Sequence, residues 1–324
     1  KSLVNNYKKN TAFNNKTFYI TEGEQLTITD TNNVLNTYTT NSDIATIKNN
    51  QLIINKLTEG TYKINLEKTN TLYNKPILFY QAPTSQKIMD IGDPQTISDT
   101  LTLNVIKTST TIIKKDKETN EIPQGTASHT GTTFELYTED DKLIQTITLK
   151  DKSTYEITNL TFGKYYIKET IPGKGYKLNE NKHSFTISKE NPNNTIEISN
   201  NVIKATIKIK KEYGYDQHFL PEKNISFNIF DIKDNLIKTI TTNEQGETEI
   251  TLPYGKYKLI QLTTTEGYEK IEPIYFEITK DDTITYNLKN YKIPVPNTKT
   301  QSILNKILYF IKELLHWKKQ FPLS

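Results

Sequence analysis

The stretch FGKYYIKETIPGKGY, Phe162–Tyr176, decides the fold. Gly163 opens a strand in which Tyr165, Ile167 and Glu169 fall on one face by the period of two. Pro172, Gly173 and Gly175 then break it. About ninety residues later the chain repeats the phrase as YGKYKLIQLTTTEGY, Tyr254–Tyr268. A phrase that returns at the spacing of a small domain predicts two tandem domains of one fold. The first copy places a carboxylate, Glu169, on the apolar face, where it is costly without a partner or a task.

Around the first copy lie TTIIKKD, TFELYTED, LIQTITLKD, STYEITNL, HSFTISK and TIEISNN. With the strand that begins at Gly163 they predict seven short strands, one sandwich over residues 109–202. Around the second lie ATIKIKKEY, ISFNIFDIKD, LIKTITTN, GETEITL, IYFEITK and TITYNLKN, a sandwich over residues 203–296 in the same order. YDQHFLPEKN reads as a loop after its first strand. Upstream, FYITEG, QLTITD, ATIKNNQLIINKL, GTYKINLEKT, ILFYQA and DTLTLNVIKT alternate in the same manner and predict a β-sandwich over residues 17–108. Residues 1–16 are polar without a strong period and read as the tail of a missing upstream domain. The joints near Lys107–Thr110 and Val202–Lys204 have almost no spare residues, which predicts a stiff string of domains. The tail, residues 297–324, has helical spacing in Ile303, Ile307, Ile311 and Leu314, broken by Lys306, Lys312 and Glu313. It is too short and too charged for a good membrane span and reads as a short amphipathic helix. The fold class is therefore all-β, tandem sandwiches with one short C-terminal helix.

Composition narrows the function. All 41 basic residues are lysine, and they alternate along strands instead of clustering, so the net charge of +4 forms no nucleic-acid groove. There is no cysteine, hence no disulfide, thiolate metal site or cysteine nucleophile. The chain starts at Lys1 with neither an initiator Met nor a signal peptide and reads as a piece of a longer protein. His129, His183, His218 and His316 are scattered without metal-ligand spacing and read as surface or loop residues; no metal site is predicted. The 20 tyrosines suit strand surfaces and cores, and a carbohydrate-binding face is the alternative use for them.

One constellation carries chemistry. The first strand of the second sandwich aligns Thr110, Ile112 and Lys114, with Asp116 next; its last strand ends at Asn200. First and last strands are commonly neighbours in a sandwich, so Lys114 and Asn200 can meet inside with Glu169 opposite. Burial disfavours a charged lysine and a charged carboxyl alike. A neutral Lys114 amine is a nucleophile, and a protonated Glu169 can polarise the Asn200 side-chain carbonyl and move protons to the departing ammonia. The product is an amide crosslink made once per molecule. Spacing alone leaves open the plainer reading of three solvated side chains.

IIKKDKET, FELY, FGKYYIKETIPGKGY and EISNN together resemble the SpaA-type or CnaB-type isopeptide-forming domains of Gram-positive pilins and adhesins. The resemblance runs from residue 109 to about 296. It implies a prealbumin-like, reversed-immunoglobulin sandwich with Lys114 as amine donor, Asn200 as acceptor and Glu169 as catalytic acid. The third sandwich departs from the pattern. Gln261 stands where Glu169 stands, Thr263, Thr264 and Thr265 replace the proline stretch, and Asn290 matches Asn200. Alternation favours Lys211 as its lysine, whereas the K-x-E spacing favours Lys210. Glutamine cannot shuttle protons, so this repeat is expected to have the fold without a completed bond. The first sandwich resembles the spacer that follows a thioester domain in some adhesins. Val295, Pro296, Asn297 and Thr298, followed by Lys299, resemble a degenerate sortase motif.

The resemblance implies a stalk on the surface or in the cell wall of a Gram-positive bacterium, with no cofactor and no turnover chemistry. It implies a monomer, a host or matrix ligand bound by a domain upstream, and sortase and peptidoglycan as partners if the tail is a sorting signal. The alternative is a carbohydrate- or host-protein-binding sandwich module without a crosslink.

Overall fold

The computed structural model describes residues 9–70, 78–80, 83, 88–90, 95–294 and 304–312. The chain is almost wholly β-structure, as its alternating segments predict. By contacts it divides into two compact units, residues 1–123 with 128–201, and residues 124–127 with 202–324.

The first eight strands are β1 (Thr17–Thr21), β2 (Leu26–Thr29), β3 (Ala45–Lys48), β4 (Gln51–Ile54), β5 (Gly60–Asn70), β6 (Leu78–Tyr80), β7 (Ile88–Asp90) and β8 (Gln95–Ile106). They form a β1-β8-β5 sheet, a β2-β4-β3 sheet and a separate β6-β7 pair. β1 runs parallel to β8. Leu35, Leu52, Ile54, Ile64, Leu66 and Leu103 pack between the sheets. The segment before β1 takes part in this packing, because Thr11 and Phe13 are buried. Its sequence has too few apolar residues for a period to reveal that.

The next seven are β9 (Ser109–Asp116), β10 (Thr133–Thr138), β11 (Leu143–Thr148), β12 (Thr154–Thr158), β13 (Gly163–Ile171), β14 (Lys182–Ile187) and β15 (Asn193–Asn200). A sheet in the order β11-β10-β13-β14 faces one in the order β12-β9-β15. Along β9 every second residue is buried, as expected of a strand with one core face. Ile112, Phe134, Leu136, Ile167 and Ile198 fill the space between the sheets.

The last eight are β16 (Lys204–Tyr215), β17 (His218–Pro221), β18 (Ser226–Asp231), β19 (Leu236–Thr241), β20 (Glu247–Pro253), β21 (Gly255–Gln261), β22 (Ile274–Ile278) and β23 (Asp282–Tyr291). The β19-β18-β21-β22 sheet repeats β11-β10-β13-β14, and β16, β20 and β23 repeat β9, β12 and β15. β17 has no counterpart in the preceding repeat. It pairs with the outer end of β16, so HFLP is a strand and not part of a loop. Residues 304–312 form the helix α1, which exposes Leu304, Ile307, Leu308 and Phe310. No helix among the described residues is long and apolar enough to cross a membrane.

Candidate functional site

β9 and β15 are parallel neighbours, with Lys114 opposite Ile198 and Asp116 opposite Asn200. In the facing sheet, Glu169 on β13 lies opposite Phe134 on β10. The three strands point these polar side chains inward by simple alternation. Lys114 is 1% exposed, Glu169 0% and Asn200 2%.

The three meet. Lys114 Nζ lies 3.2 Å from Glu169 Oε2, with neither side chain exposed. Asn200 Nδ2 donates to Glu169 Oε1 at 2.5 Å. Nζ also points at the Ile198 carbonyl, at 3.4 Å. Two polar atoms stay unsatisfied: Oε2 accepts no aligned hydrogen bond, and Asn200 Oδ1 has no hydrogen-bond partner. Burial pulls the Lys114 amine below the usual lysine range, against the opposing pull of Glu169 and Asp116.

A polar shell surrounds the trio. The Tyr176 hydroxyl donates to Asp116 Oδ2 at 2.9 Å. The His129 ring lies 5.1 Å from the Tyr176 ring, and its Nδ1 contacts Ser153 Oγ at 2.8 Å. Of the two readings given to it, surface or loop, His129 takes the second: it lies in the loop between β9 and β10 and is 3% exposed. Burial and the Lys114 charge hold its pKa below the usual value. The cause of its burial is tertiary: Gly173 lets the β13–β14 loop lie on the 128–132 segment. A Cβ on Gly173 would sit 2.3 Å from the Ser128 carbonyl. His183 on β14 is also half-buried, with its pKa lowered by burial and then by Lys114.

The third sandwich has the same frame. Lys211 lies opposite Leu288 and Tyr213 opposite Asn290, the offset of Lys114 and Asn200. Gln261 lies opposite Phe227, the place of Glu169. Lys211 is 1% exposed, while Lys210 faces outward to Glu247. Alternation, not K-x-E spacing, chose the buried lysine. Gln261 turns away from Lys211: its Nε2 donates to Thr263 O at 2.7 Å and its Oε1 accepts from Ile271 N at 3.2 Å. Glu222, just past β17, comes to Lys211 Nζ at 2.9 Å instead. Sequence reasoning passed over it because YDQHFLPEKN read as a loop, and no period marks it: His218 and Leu220, on the same alternation, are exposed.

The first sandwich holds a different buried cluster, also unanticipated. Asp99 accepts from Thr11 N at 2.6 Å, Thr11 Oγ1 at 2.7 Å and the Tyr38 hydroxyl at 3.1 Å. Asn10 Nδ2 donates to it as well. Lys68 Nζ donates to Lys9 O at 2.7 Å. This network ties the segment before β1 to β5 and β8. Residues 295–298, the sorting-motif resemblance, lie outside the described residues.

A family model for the SpaA prealbumin-like fold domain matches residues 108–202 and 205–292, more than half of the chain. The chain belongs to the SpaA family. Both SpaA repeats coincide with the two sandwiches that share the lysine–asparagine frame. Among solved structures, the Bacillus anthracis TIE protein is similar, with 23% identity and a TM-score of 0.50. The similarity covers 75% of this chain, which spans 45% of that one. The C-terminal fragment of pilus adhesin SpaC from Lactobacillus rhamnosus GG matches at 13% identity and a TM-score of 0.41. That match covers 59% of this chain and 100% of the fragment. GBS52, the minor pilin of Streptococcus agalactiae, matches at 16% identity and 0.31, over 59% of this chain and 98% of that one. No curated protein matches the sequence.

Proposed function

We propose that this chain is a stalk segment of a Gram-positive surface adhesin or pilin-like protein, in which Lys114 and Asn200 become joined by an amide. The observation that carries the reading is the fully buried contact of Lys114, Glu169 and Asn200 across the two sheets of the second sandwich. A buried ion pair adds little or nothing to stability, so its presence asks for another reason. Chemistry is that reason.

A proton passes from the Lys114 ammonium to the Glu169 carboxylate, leaving a neutral amine and a neutral acid. A half-turn of the Asn200 amide exchanges its two ends and brings Oδ1 to the Glu169 hydroxyl. The amine attacks Cγ. Glu169 gives its proton to Nδ2 and takes the surplus proton from the new C–N nitrogen, ending again as the acid. The Cγ–Nδ2 bond breaks, ammonia leaves, and an Nζ–Cγ amide remains. The step is redox-neutral, needs no cofactor and runs once, so the protein has no turnover.

In this reading the chain comprises a spacer over residues 17–108 and two family domains over 109–202 and 203–296. It stands outside the cell, with a ligand-binding part upstream. The test is peptide mapping of the purified full chain beside a Glu169→Ala variant. The expected product is a linked peptide containing Lys114 and Asn200, lighter than its two parts by one ammonia, about 17 Da, and absent from the variant. Unlinked Lys114 and Asn200 peptides from the native chain would refute the crosslink.

A further inference from the structure

The third sandwich puts a carboxylate where the family pattern lacks one. Glu222 is 1% exposed and takes Lys211 Nζ at 2.9 Å and Asn290 Nδ2 at 2.9 Å, both on Oε2. Its Oε1 accepts from Thr265 N at 2.9 Å. Asn290 Nδ2 also reaches Thr264 Oγ1 at 2.7 Å, while Asn290 Oδ1 has no hydrogen-bond partner, as with Asn200. The threonines that replace the proline stretch are thus the residues that hold Glu222 and Asn290 in place.

The position of Glu222 follows from the additional hairpin. β16 runs on beyond the length of β9, turns at Asp216, and returns as β17, so that Glu222 N donates to Lys211 O at 2.8 Å. Gly246 closes over this pair with φ +72°, and a Cβ there would sit 2.3 Å from Lys211 O. The carboxylate arrives from the lysine's own sheet instead of from the facing one.

We propose that the third sandwich forms its own amide between Lys211 and Asn290, with Glu222 moving the protons in place of Gln261. The bond chemistry is that proposed for the second sandwich: Nζ–Cγ forms, Cγ–Nδ2 breaks, ammonia departs. Gln261 remains a structural residue that pins the turn after β21.

The test uses the full chain and follows each linked peptide separately, so that failure of one site is distinguishable from failure of the other. The native protein is expected to yield a Lys211–Asn290 linked peptide, about 17 Da below the sum of its parts. Glu222→Gln should remove it and leave the Lys114 region unchanged. Because Glu222→Gln risks misfolding the hairpin, Glu222→Gln/Gln261→Glu is made beside it. That double variant returns a carboxylate to the β21 position and should recover the linked peptide. Absence of the peptide from the native chain overturns the proposal, whatever the second sandwich does. Its persistence in Glu222→Gln overturns the role of Glu222. Failure of the double variant to recover it overturns the claim that the carboxylate is the missing element.

Discussion

At Lys114 and Glu169 two long charged side chains are removed wholly from water. Burial lowers the lysine pKa more than Glu169 and Asp116 raise it. This gives a test with a definite sign. In an Asn200→Ala variant Lys114 keeps its amine. Its folded pKa lies below the unfolded value of 10.5. Between those two values the unfolded chain binds more protons, so stability rises with pH, by at most ~1.4 kcal/mol per pH unit. Below the folded value the burial penalty is present in full and the slope vanishes. Denaturant midpoints of Asn200→Ala, compared with Lys114→Met/Asn200→Ala, should show this alkaline gain only in the single variant. Equal slopes would mean that Lys114 is not buried as an amine. Lys114, Glu169 and Asn200 were legible in the sequence because each sits in a regular strand, where a period of two fixes the inward face. Glu222 and His129 were not, because a hairpin extension and a loop folded over a glycine bury them, and neither leaves a period.

At the scale of elements, the recurring device is a first strand lying parallel to the last, with lysine and asparagine two steps out of register. The repeat of FGKYYIKETIPGKGY and YGKYKLIQLTTTEGY was enough to predict one fold used twice. It could not show that β16 would gain a partner beyond the length of β9. The β13–β14 loop holds the second site closed. The Lys174 carbonyl accepts from Ser128 N at 2.9 Å, and Tyr176 N donates to Gly173 O at 3.0 Å. Gly173→Ala should push the loop off the 128–132 segment and cost ~1–3 kcal/mol, the usual price of overpacking. Thermal unfolding of this variant in a Glu169→Ala background, where no crosslink masks the loss, measures it. An unchanged midpoint would show that the loop yields without cost.

For the molecule as a whole, the proposed bond lies between strands at the entry and exit of a domain. It closes a loop of roughly 85 residues, worth ~4–5 kcal/mol by analogy with a disulfide of that span. In a chain without cysteine it is also a link that reduction cannot open. Its larger consequence is mechanical: tension entering at β9 leaves at β15 through the amide, and the strands between carry none of it. Stretching single full-length molecules by their two ends tests this most directly. The account predicts no unfolding step from the second sandwich, and in Glu169→Ala a new step approaching the ~300 Å that about 85 extended residues can span. As many long steps in the native chain as in Glu169→Ala would contradict it.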